Sequence, residues 1–271
     1  MSWNMERWIT EDTVTVAPIT YPGATQYHDA RSAAFYALGI ALKKNVPVTL
    51  IIPGQYLSNT YTAITEAWFQ KANIIVIALF EKVSEVKTFW MDRCVLQSAT
   101  FGHDEQTSFE KMLKSARGLP GPVLFNLIGY SQQEEVIDYT AVITALLSLC
   151  PPLKITAYHP NNPQNENITA VPRENKYGLI SKYIGMSTLK DTGVLLCPAE
   201  CALLDMNVFR TRYANSNMKI VLLDEKGLLD DLNIPQWITE NGWLYFATDG
   251  AEMSGAEWLL SQQQQAVWMI R

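Results

Sequence analysis

Closely spaced cysteine, histidine and acidic residues are the first features of this sequence that suggest chemistry. Cys197 and Cys201 form a C-x-x-x-C pair, but no second ligand pair or nearby histidine accompanies them, whereas a structural zinc site takes four ligands. His103 is followed directly by Asp104 and Glu105, a composition that suits a metal ion and also a solvated loop. We interpret the cysteines as free thiols and the acidic group as a solvated loop.

Several other reactive or ligand-binding side chains have two open interpretations. Arg31 and Arg210 either bind an acidic substrate or lie on solvated helix faces, and His159 is either a ligand-binding residue or the start of a polar loop. Cys201 as a nucleophile needs a neighbouring base, which the sequence does not show. The sequence contains no G-x-S-x-G, G-x-G-x-x-G or Walker motif, which argues against the common hydrolase and nucleotide-binding sites.

The composition indicates a globular, cytoplasmic protein. The 271 residues are 48% hydrophobic and 18% charged, enough for one large domain or two halves. A net charge of -6, with no basic run longer than Lys43-Lys44, argues against a nucleic-acid partner. We expect no membrane segment, because the N-terminus lacks a signal-peptide core and no window of about 18 uncharged apolar residues occurs. Four scattered cysteines fit the reducing cytosol.

Apolar runs of strand length alternate with helical patterns, which predicts an α/β protein whose mostly parallel sheets are flanked by helices. The predicted strands are 47–52, 74–78, 121–126, 153–158, 194–197, 219–223, 243–246 and 266–270. The predicted helices are 32–43, 58–71, 106–116, 133–149, 178–189, 202–214, 235–241 and 254–264. The Asn- and Pro-rich residues 160–176 are predicted to form a loop.

A first set of motifs lies between His28 and Ala67. The sequence from His28 reads H-D-A-R-S-A-A-F-Y-A-L-G-I-A, followed by a strand ending in Pro53-Gly54 and by N-T-Y-T-A-I-T-E-A from Asn59. This order resembles the thiamine-diphosphate-dependent enzyme family, closest to SEPHCHC synthase of menaquinone biosynthesis. There D-E-R leads into F-H-A-L-G-L-A, then a strand, a T-S-G turn and N-L-Y-P-A-L-I-E-A. Residues 121–126 match the strand that closes this pyrimidine-binding domain.

A second set of motifs lies between Gly178 and Asn207. It comprises G-L-I-S from Gly178, the strand 194–197 and A-L-L-D-M-N from Ala202. It resembles the diphosphate-binding domain of the same family, which has G-L-L-S, a strand and G-D-L-S-A-L-Y-D-L-N. The resemblance implies two thiamine-diphosphate-binding-fold halves, a pyrimidine-binding-type domain at 1–129 and a diphosphate-binding-type domain at 130–271. The family's middle domain is absent, because only a short link near residues 128–135 joins the halves.

The resemblance places an alanine where the family has its activating glutamate. That glutamate hydrogen-bonds the cofactor's aminopyrimidine ring and promotes formation of the thiazolium ylid. The family's D-E-R aligns with Asp29-Ala30-Arg31, so Ala30 occupies the position and can neither donate nor accept. Asp29 and His28 are the neighbouring candidates for a catalytic role. A one-residue shift turns a helical side chain by about 100°, and a helix-stabilising acid is the simpler interpretation of Asp29.

The metal–diphosphate site is altered in the same way. The family's G-D pair aligns with Pro198-Ala199, and alanine offers no oxygen ligand to Mg²⁺. Proline also lacks the N–H donor and the backbone freedom of the glycine. The remaining candidate metal ligands are Glu200, Asp224 and Glu225. The candidate cofactor-binding residues implied by the resemblance are Gly54, Asn59, Cys201 and Ala202.

Two classes of function stay open at this stage. In the first, the chain is a degenerate member of the fold without thiamine chemistry and without cofactor, serving as an oligomeric scaffold, a regulator or a small-ligand binder. In the second, it is a thiamine-diphosphate- and Mg²⁺-dependent C–C lyase or transferase acting on a 2-oxo acid, with atypical ligands or a companion chain. The family's architecture also implies a homodimer or higher oligomer, with helices 32–43 and 202–214 as candidate packing surfaces.

Overall fold

Buried apolar runs form the central strands of two separate parallel sheets. The computed structural model describes residues 3–10, 12–88, 90–130, 137–161, 165–172, 176–186, 193–210, 217–225 and 227–271. The chain divides into two compact units, Met1–Glu134 and Glu135–Arg271. Each unit has one six-stranded sheet, and all strand pairs in both sheets are parallel. The predicted α/β class is therefore confirmed, with sheets that are parallel throughout.

The first unit has the strand order β2-β1-β3-β4-β6-β5. Its strands are β1 Thr13–Val16, β2 Thr25–Tyr27, β3 Val48–Pro53, β4 Ile74–Phe80, β5 Gln97–Phe101 and β6 Val123–Ile128. Its helices are α1 Ala30–Lys44, α2 Tyr61–Gln70 and α3 Gln106–Ala116, with shorter 3-10 segments at Met5–Trp8, Gly54–Thr60, Val83–Glu85 and His103–Glu105. The central strands β3 and β4 are buried along their whole length, as parallel strands covered on both faces require.

The second unit has the strand order β11-β12-β10-β9-β7-β8. Its strands are β7 Lys154–Tyr158, β8 Ile168–Val171, β9 Gly193–Pro198, β10 Lys219–Leu223, β11 Leu244–Thr248 and β12 Ala266–Ile270. Its helices are α4 Thr140–Leu149, α5 Leu179–Met186, α6 Ala199–Leu204, α7 Leu228–Asp231, α8 Ile234–Glu240 and α9 Met253–Ser261, with a 3-10 segment at Met206–Arg210.

Alternate residues of the central strands of the second unit enter two different core clusters. Leu195 and Cys197 of β9 pack in one cluster, whereas Val194 and Leu196 pack in the other. Both faces of this sheet are therefore covered, which explains the continuous apolar runs of its central strands. Among the described residues, no helix has the length and apolar character needed to cross a bilayer.

Several predicted elements need correction. The predicted loop 160–176 contains the edge strand β8, and strands β1, β2 and β5 and helix α7 were not predicted. The predicted helix 202–214 begins earlier, at Ala199, and gives way to a 3-10 segment after Leu204, while residues 211–216 lie outside the described part of the chain. Likewise, the predicted helix 58–71 begins as the 3-10 segment Gly54–Thr60. Parts of the predicted helices 133–149 and 178–189, at 133–136 and 187–189, are also outside the described residues.

Candidate functional site

The N-terminus of α1 carries three of the candidate residues of the first unit. Asp29 is the N-cap, and its Oδ1 accepts a hydrogen bond of 2.7 Å from the backbone N–H of Ser32. The carboxylate therefore stabilises the start of the helix as its N-cap, in line with the helix-stabilising role expected from the sequence. Ala30 is fully buried, so the position aligned with the activating glutamate holds a methyl group inside the core. His28 is exposed.

Gly54 lies at the start of the turn that follows β3, directly against the phenyl ring of Phe80. A Cβ atom at position 54 would stand 2.3 Å from two ring carbons of Phe80. Phe80 is the last residue of β4 and is buried, as is Tyr56 in the same turn. The space beside Gly54 is thus filled by an aromatic side chain of this protein, which by itself requires glycine here. Asn59 is half-buried near the end of the same 3-10 segment.

The turn between β9 and α6 holds the residues aligned with the family's Gly-Asp pair. Pro198 ends β9 with extended backbone angles, φ -70° and ψ 157°, and has no N–H to offer a ligand. Ala199 is buried. Glu200 lies in the first turn of α6 and is half-buried. Among these three residues, Glu200 alone carries a side chain that can bind a cation.

Cys201 and Cys197 form a buried pair of thiols at this turn. Both side chains are fully buried, and one thiol hydrogen-bonds the other. Burial raises the pKa of Cys197 well above its ordinary value, and the contact with Cys201 and the charges of Asp205 and Glu200 raise it further. A thiol that stays protonated is a poor nucleophile and a poor metal ligand. Ala202, which follows, is also fully buried.

Asp224 follows β10 and acts as a helix cap. Its Oδ1 accepts from the backbone N–H of Leu228 and its Oδ2 from that of Leu229, each at 2.8 Å. The residue is buried, and its own N–H donates to the carbonyl of Ile270 at 2.7 Å. Both carboxylate oxygens are therefore used to start α7. Glu225, the next candidate ligand, is exposed.

The two motif segments of the second unit meet through a side-chain contact. Asp205 accepts hydrogen bonds of 2.6 Å from both the backbone N–H and the hydroxyl of Ser181. Asp205 comes from the A-L-L-D-M-N segment and Ser181 from the G-L-I-S segment. This contact connects α5 to the end of α6. It engages the hydroxyl of Ser181 and the carboxylate of Asp205 in hydrogen bonds within the protein.

Tyr139 is a buried polar residue that sequence analysis missed. Its hydroxyl has no hydrogen-bond partner among the described residues. Burial raises its pKa far above the ordinary value, and the charges of Cys197, Cys201, Tyr158 and Glu200 act in the same direction. Tyr139 belongs to no motif. The one feature of the sequence that could have pointed to it is its place directly before helix α4.

An open cleft of about 370 Å³ lies beside α4 in the second unit. The described residues of its lining are uncharged, and they combine hydroxyl and amide groups with apolar side chains. The residues are Tyr139, Thr140, Ile143, Thr144, Pro160, Asn161, Asn165 and Ile168. Its volume is within the range of small-molecule sites.

The remaining candidate residues are His103 and Arg31 of the first unit and His159 and Arg210 of the second. The His103 ring packs 5.5 Å from that of Trp3, and His159 has a left-handed φ of 44° beside Tyr158. Arg31 is exposed, and the side chain of Arg210 is outside the described atoms. Within the described ranges, no three His, Cys, Asp or Glu side chains are placed to hold a metal ion together.

Comparisons with known proteins give one sequence relative and a structural neighbour. The relative is 2-succinyl-5-enolpyruvyl-6-hydroxy-3-cyclohexene-1-carboxylate synthase (SEPHCHC synthase) of Bacillus pumilus (strain SAFR-032), 37% identical over 75 residues. That segment is 27% of this chain and 13% of the relative, so the chain matches a small part of the synthase's length. Benzoylformate decarboxylase from Polynucleobacter necessarius aligns with 96% of this chain and 95% of its own, at 10% identity and a TM-score of 0.38.

No family model matches the chain. The resemblance to SEPHCHC synthase that the motifs indicated is confirmed by the sequence relative over its 75 residues. Over this segment the chain is similar to that synthase.

Proposed function

We propose that this chain is a thiamine-diphosphate-fold protein without classical thiamine chemistry, which acts as an oligomeric scaffold, a regulator or a small-ligand binder. The observation that carries the proposal is the buried methyl group of Ala30 at the position of the activating glutamate. The carboxylate of the preceding residue, Asp29, is engaged as the cap of α1. Neither Ala30 nor Asp29 therefore offers a cofactor ring at this position the free carboxylate that promotes the ylid.

The second unit supports the same proposal. Ala199 supplies no metal ligand, and Pro198 supplies no N–H. Asp224 directs both oxygens to backbone amides, and Cys201 faces Cys197 rather than a ligand. These residues do not fit a diphosphate held by Mg²⁺, which needs several oxygen ligands in octahedral geometry.

The proposal also covers the organisation of the chain. We assign residues 1–129 to the pyrimidine-binding type and 130–271 to the diphosphate-binding type, a division close to the two compact units. The proposal includes a cytoplasmic location, which the four free cysteines support. It also includes a homodimer or higher oligomer, which the exposed apolar side chains of α1 support. For the ligand-binding role, the hydroxyl and amide groups among the described residues of the cleft beside α4 suit a small molecule with hydroxyl or amide groups of its own.

Titration calorimetry with thiamine diphosphate and Mg²⁺ tests the loss of the cofactor site. We expect no heat and no thermal shift from the wild-type protein, with an active SEPHCHC synthase as the positive control. The double variant Ala30→Glu/Ala199→Asp, checked for folding by circular dichroism, measures whether those two positions suffice to regain binding. Micromolar binding by the wild-type protein overturns the proposal.

A second candidate function is a thiamine-diphosphate-dependent C–C lyase or transferase, either a 2-oxo acid decarboxylase or an enzyme similar to SEPHCHC synthase. It is favoured by the 37% identity to an enzyme of that name. It requires Mg²⁺ to be held by Glu200, Asp224 and Glu225, or residues supplied by a companion chain. Release of CO₂ from a 2-oxo acid by the wild-type protein, reduced in Glu200→Gln, would establish it, and no turnover at saturating cofactor would exclude it.

A further inference from the structure

Three helices of the first unit end at the same edge of its sheet. Helices α1, α2 and α3 precede the parallel strands β3, β4 and β6, so the helix C-termini lie at the edge where these strands begin. Hydrogen bonds connect the three turns. The backbone N–H of Val48 donates to the carbonyl of Asn73 at 3.0 Å, and the Asn73 amide donates to three backbone carbonyls at the end of α3, at 2.7 to 3.1 Å. We call this surface, formed by residues 41–47, 67–73 and 113–122, the helix-end surface.

The helix-end surface has an excess of positive charge. Its three segments contain no Asp or Glu, and their cations are Lys43, Lys44, Lys71, Lys114 and Arg117. Lys44 pairs with Asp12, which precedes β1, and its side chain is still 52% exposed. Salt screens charges that lie beyond about 8 Å, so these cations act on a nearby partner although the net charge of the chain is -6.

The opposite edge of the same sheet carries exposed carboxylates. Glu81 and Glu85 follow β4, and Asp104 and Glu105 follow β5. Lys82 is the one cation within these two short segments, 81–85 and 102–105. The charge of the first unit is therefore polarised along its strands, which directs the helix-end surface toward a negatively charged partner.

Two aromatic side chains in the last turn of α2 are exposed within this basic surface. Trp68 is 38% exposed and Phe69 is 75% exposed. Cations at helix C-termini stabilise the helix dipole in any protein, but an exposed phenylalanine beside them has no such role. Tryptophan and phenylalanine together with lysine are typical of helices that lie on membrane surfaces, whereas lysine is depleted at protein–protein interfaces. The combination favours a lipid surface over a protein partner.

From these observations we infer that the helix-end surface binds the surface of a bilayer that contains anionic lipid. Trp68 and Phe69 enter the headgroup region, and the surrounding cations contact the lipid phosphates. Each such cation strengthens binding about fivefold, which corresponds to about 1 kcal/mol. Binding of this kind needs no helix that crosses the bilayer. The inference goes beyond the proposed function and is independent of whether a cofactor binds.

Co-sedimentation of the full chain with lipid vesicles tests the charge. We expect the wild-type protein to bind mixed vesicles of phosphatidylglycerol and phosphatidylcholine, more weakly as salt rises, and not to bind phosphatidylcholine alone. Lys71→Gln should lower the partition coefficient about fivefold. Lys82→Gln, at the exposed cation of the opposite edge, is the matched control and should leave it unchanged. A wild-type protein that does not bind the mixed vesicles, or an equal loss in both variants, overturns the inference.

The same assay tests the aromatic anchors. Phe69→Ser should lower the partition coefficient about tenfold, because it removes a large apolar side chain from the lipid contact. Val83→Ser is the matched control, since Val83 is 68% exposed and follows β4 at the opposite edge. Circular dichroism checks the folding of each variant. Salt-sensitive binding that Phe69→Ser leaves unchanged would indicate a purely electrostatic surface, suited to an acidic protein, and would contradict the inference.

Quenching of tryptophan fluorescence by brominated lipid tests the orientation. Bound wild-type protein should be quenched, and Trp68→Phe should lose most of the quenching while it keeps an aromatic anchor. Undiminished quenching in Trp68→Phe would show that another face meets the lipid, and would refute the proposed orientation. Thiamine diphosphate calorimetry on the same protein separates the two proposals. Absence of vesicle binding overturns the membrane surface alone, and micromolar cofactor binding overturns the loss of chemistry alone.

Discussion

The phenyl ring of Phe80 covers the Cα atom of Gly54, although 26 residues separate them in the sequence. Phe80 is the last residue of β4, and Gly54 directly follows the adjacent strand β3. The parallel pairing of these two strands brings Pro53 opposite Leu79. The contact gives Gly54 a packing role that needs no ligand. It also means that the turn resembling a cofactor-binding segment is closed by a side chain of the protein.

Gly54→Ala should destabilise the protein by about 1–3 kcal/mol, because the added methyl group overpacks a buried ring. Chemical unfolding measures the change. In the background of Phe80→Ala the same substitution should cost much less, since the ring it would strike is gone. Additive effects in this double-mutant cycle would contradict the packing role of Gly54.

Asp224→Asn should lower the free energy of unfolding by about 1.5–3 kcal/mol. The amide would turn a donor toward the N–H of Leu229 or Leu228 and remove a charge-assisted hydrogen bond at the start of α7. Glu225→Gln, at the exposed neighbour, is the control and should change the value by less than about 0.5 kcal/mol. If Mg²⁺ raised the melting temperature of the wild type but not of Asp224→Asn, Asp224 would be a metal ligand and not merely a cap.

Tyr139→Phe should leave stability unchanged or raise it by up to about 1 kcal/mol. The buried hydroxyl has no partner among the described residues, so its removal ends a desolvation cost without breaking a bond. Thr248→Val is the contrasting variant, because Thr248 Oγ1 accepts from the buried indole N–H of Trp268 at 2.9 Å. Removing that acceptor should cost about 1–3 kcal/mol. A Tyr139→Phe variant as unstable as Thr248→Val would show that the hydroxyl has a partner in the folded protein.

The free energy of unfolding should decrease in alkaline solution because of the ionisation of Tyr245. Burial raises the pKa of this phenol to about 12, and Asp230 and Asp224 add to the effect against the opposing charge of Arg271. The unfolded chain loses this proton near pH 10 while the folded protein keeps it, so the contribution is complete below pH 10 and is lost as the pH rises to about 12. Urea unfolding from pH 8 to 12 should show a smaller decline in Tyr245→Phe than in the wild type. Equal slopes above pH 10 would rule this contribution out.

The central strands can be predicted from the local sequence alone. The predicted bounds 219–223 and 266–270 coincide with those of β10 and β12. Both strands are buried at every residue, because neighbours flank them in the sheet and helices cover both faces. Apart from Lys219, both strands hold apolar residues on each face, and this produces an apolar run that can be recognised without knowledge of the fold.

The edge strands depend on their partners. β2, β5 and β8 lie at or beside solvent, and their residues are mostly exposed or half-buried. β8 lies inside the Asn- and Pro-rich segment and is a strand because it pairs with β7. Backbone pairing with a distant segment places few demands on side chains at an edge, so the local pattern is weak.

For the candidate site, the residue types alone predicted that Ala30, Pro198 and Ala199 do not supply the groups that the resembling family has at these positions, since an alanine or a proline lacks those groups in any conformation. They left Asp224 and Cys201 as candidate ligands. The tertiary structure alone shows that the Asp224 carboxylate meets the amides of α7 and that the Cys201 thiol meets Cys197. The partner of a polar side chain is set by the path of the folded backbone around it, and that path is determined by the packing of the whole unit.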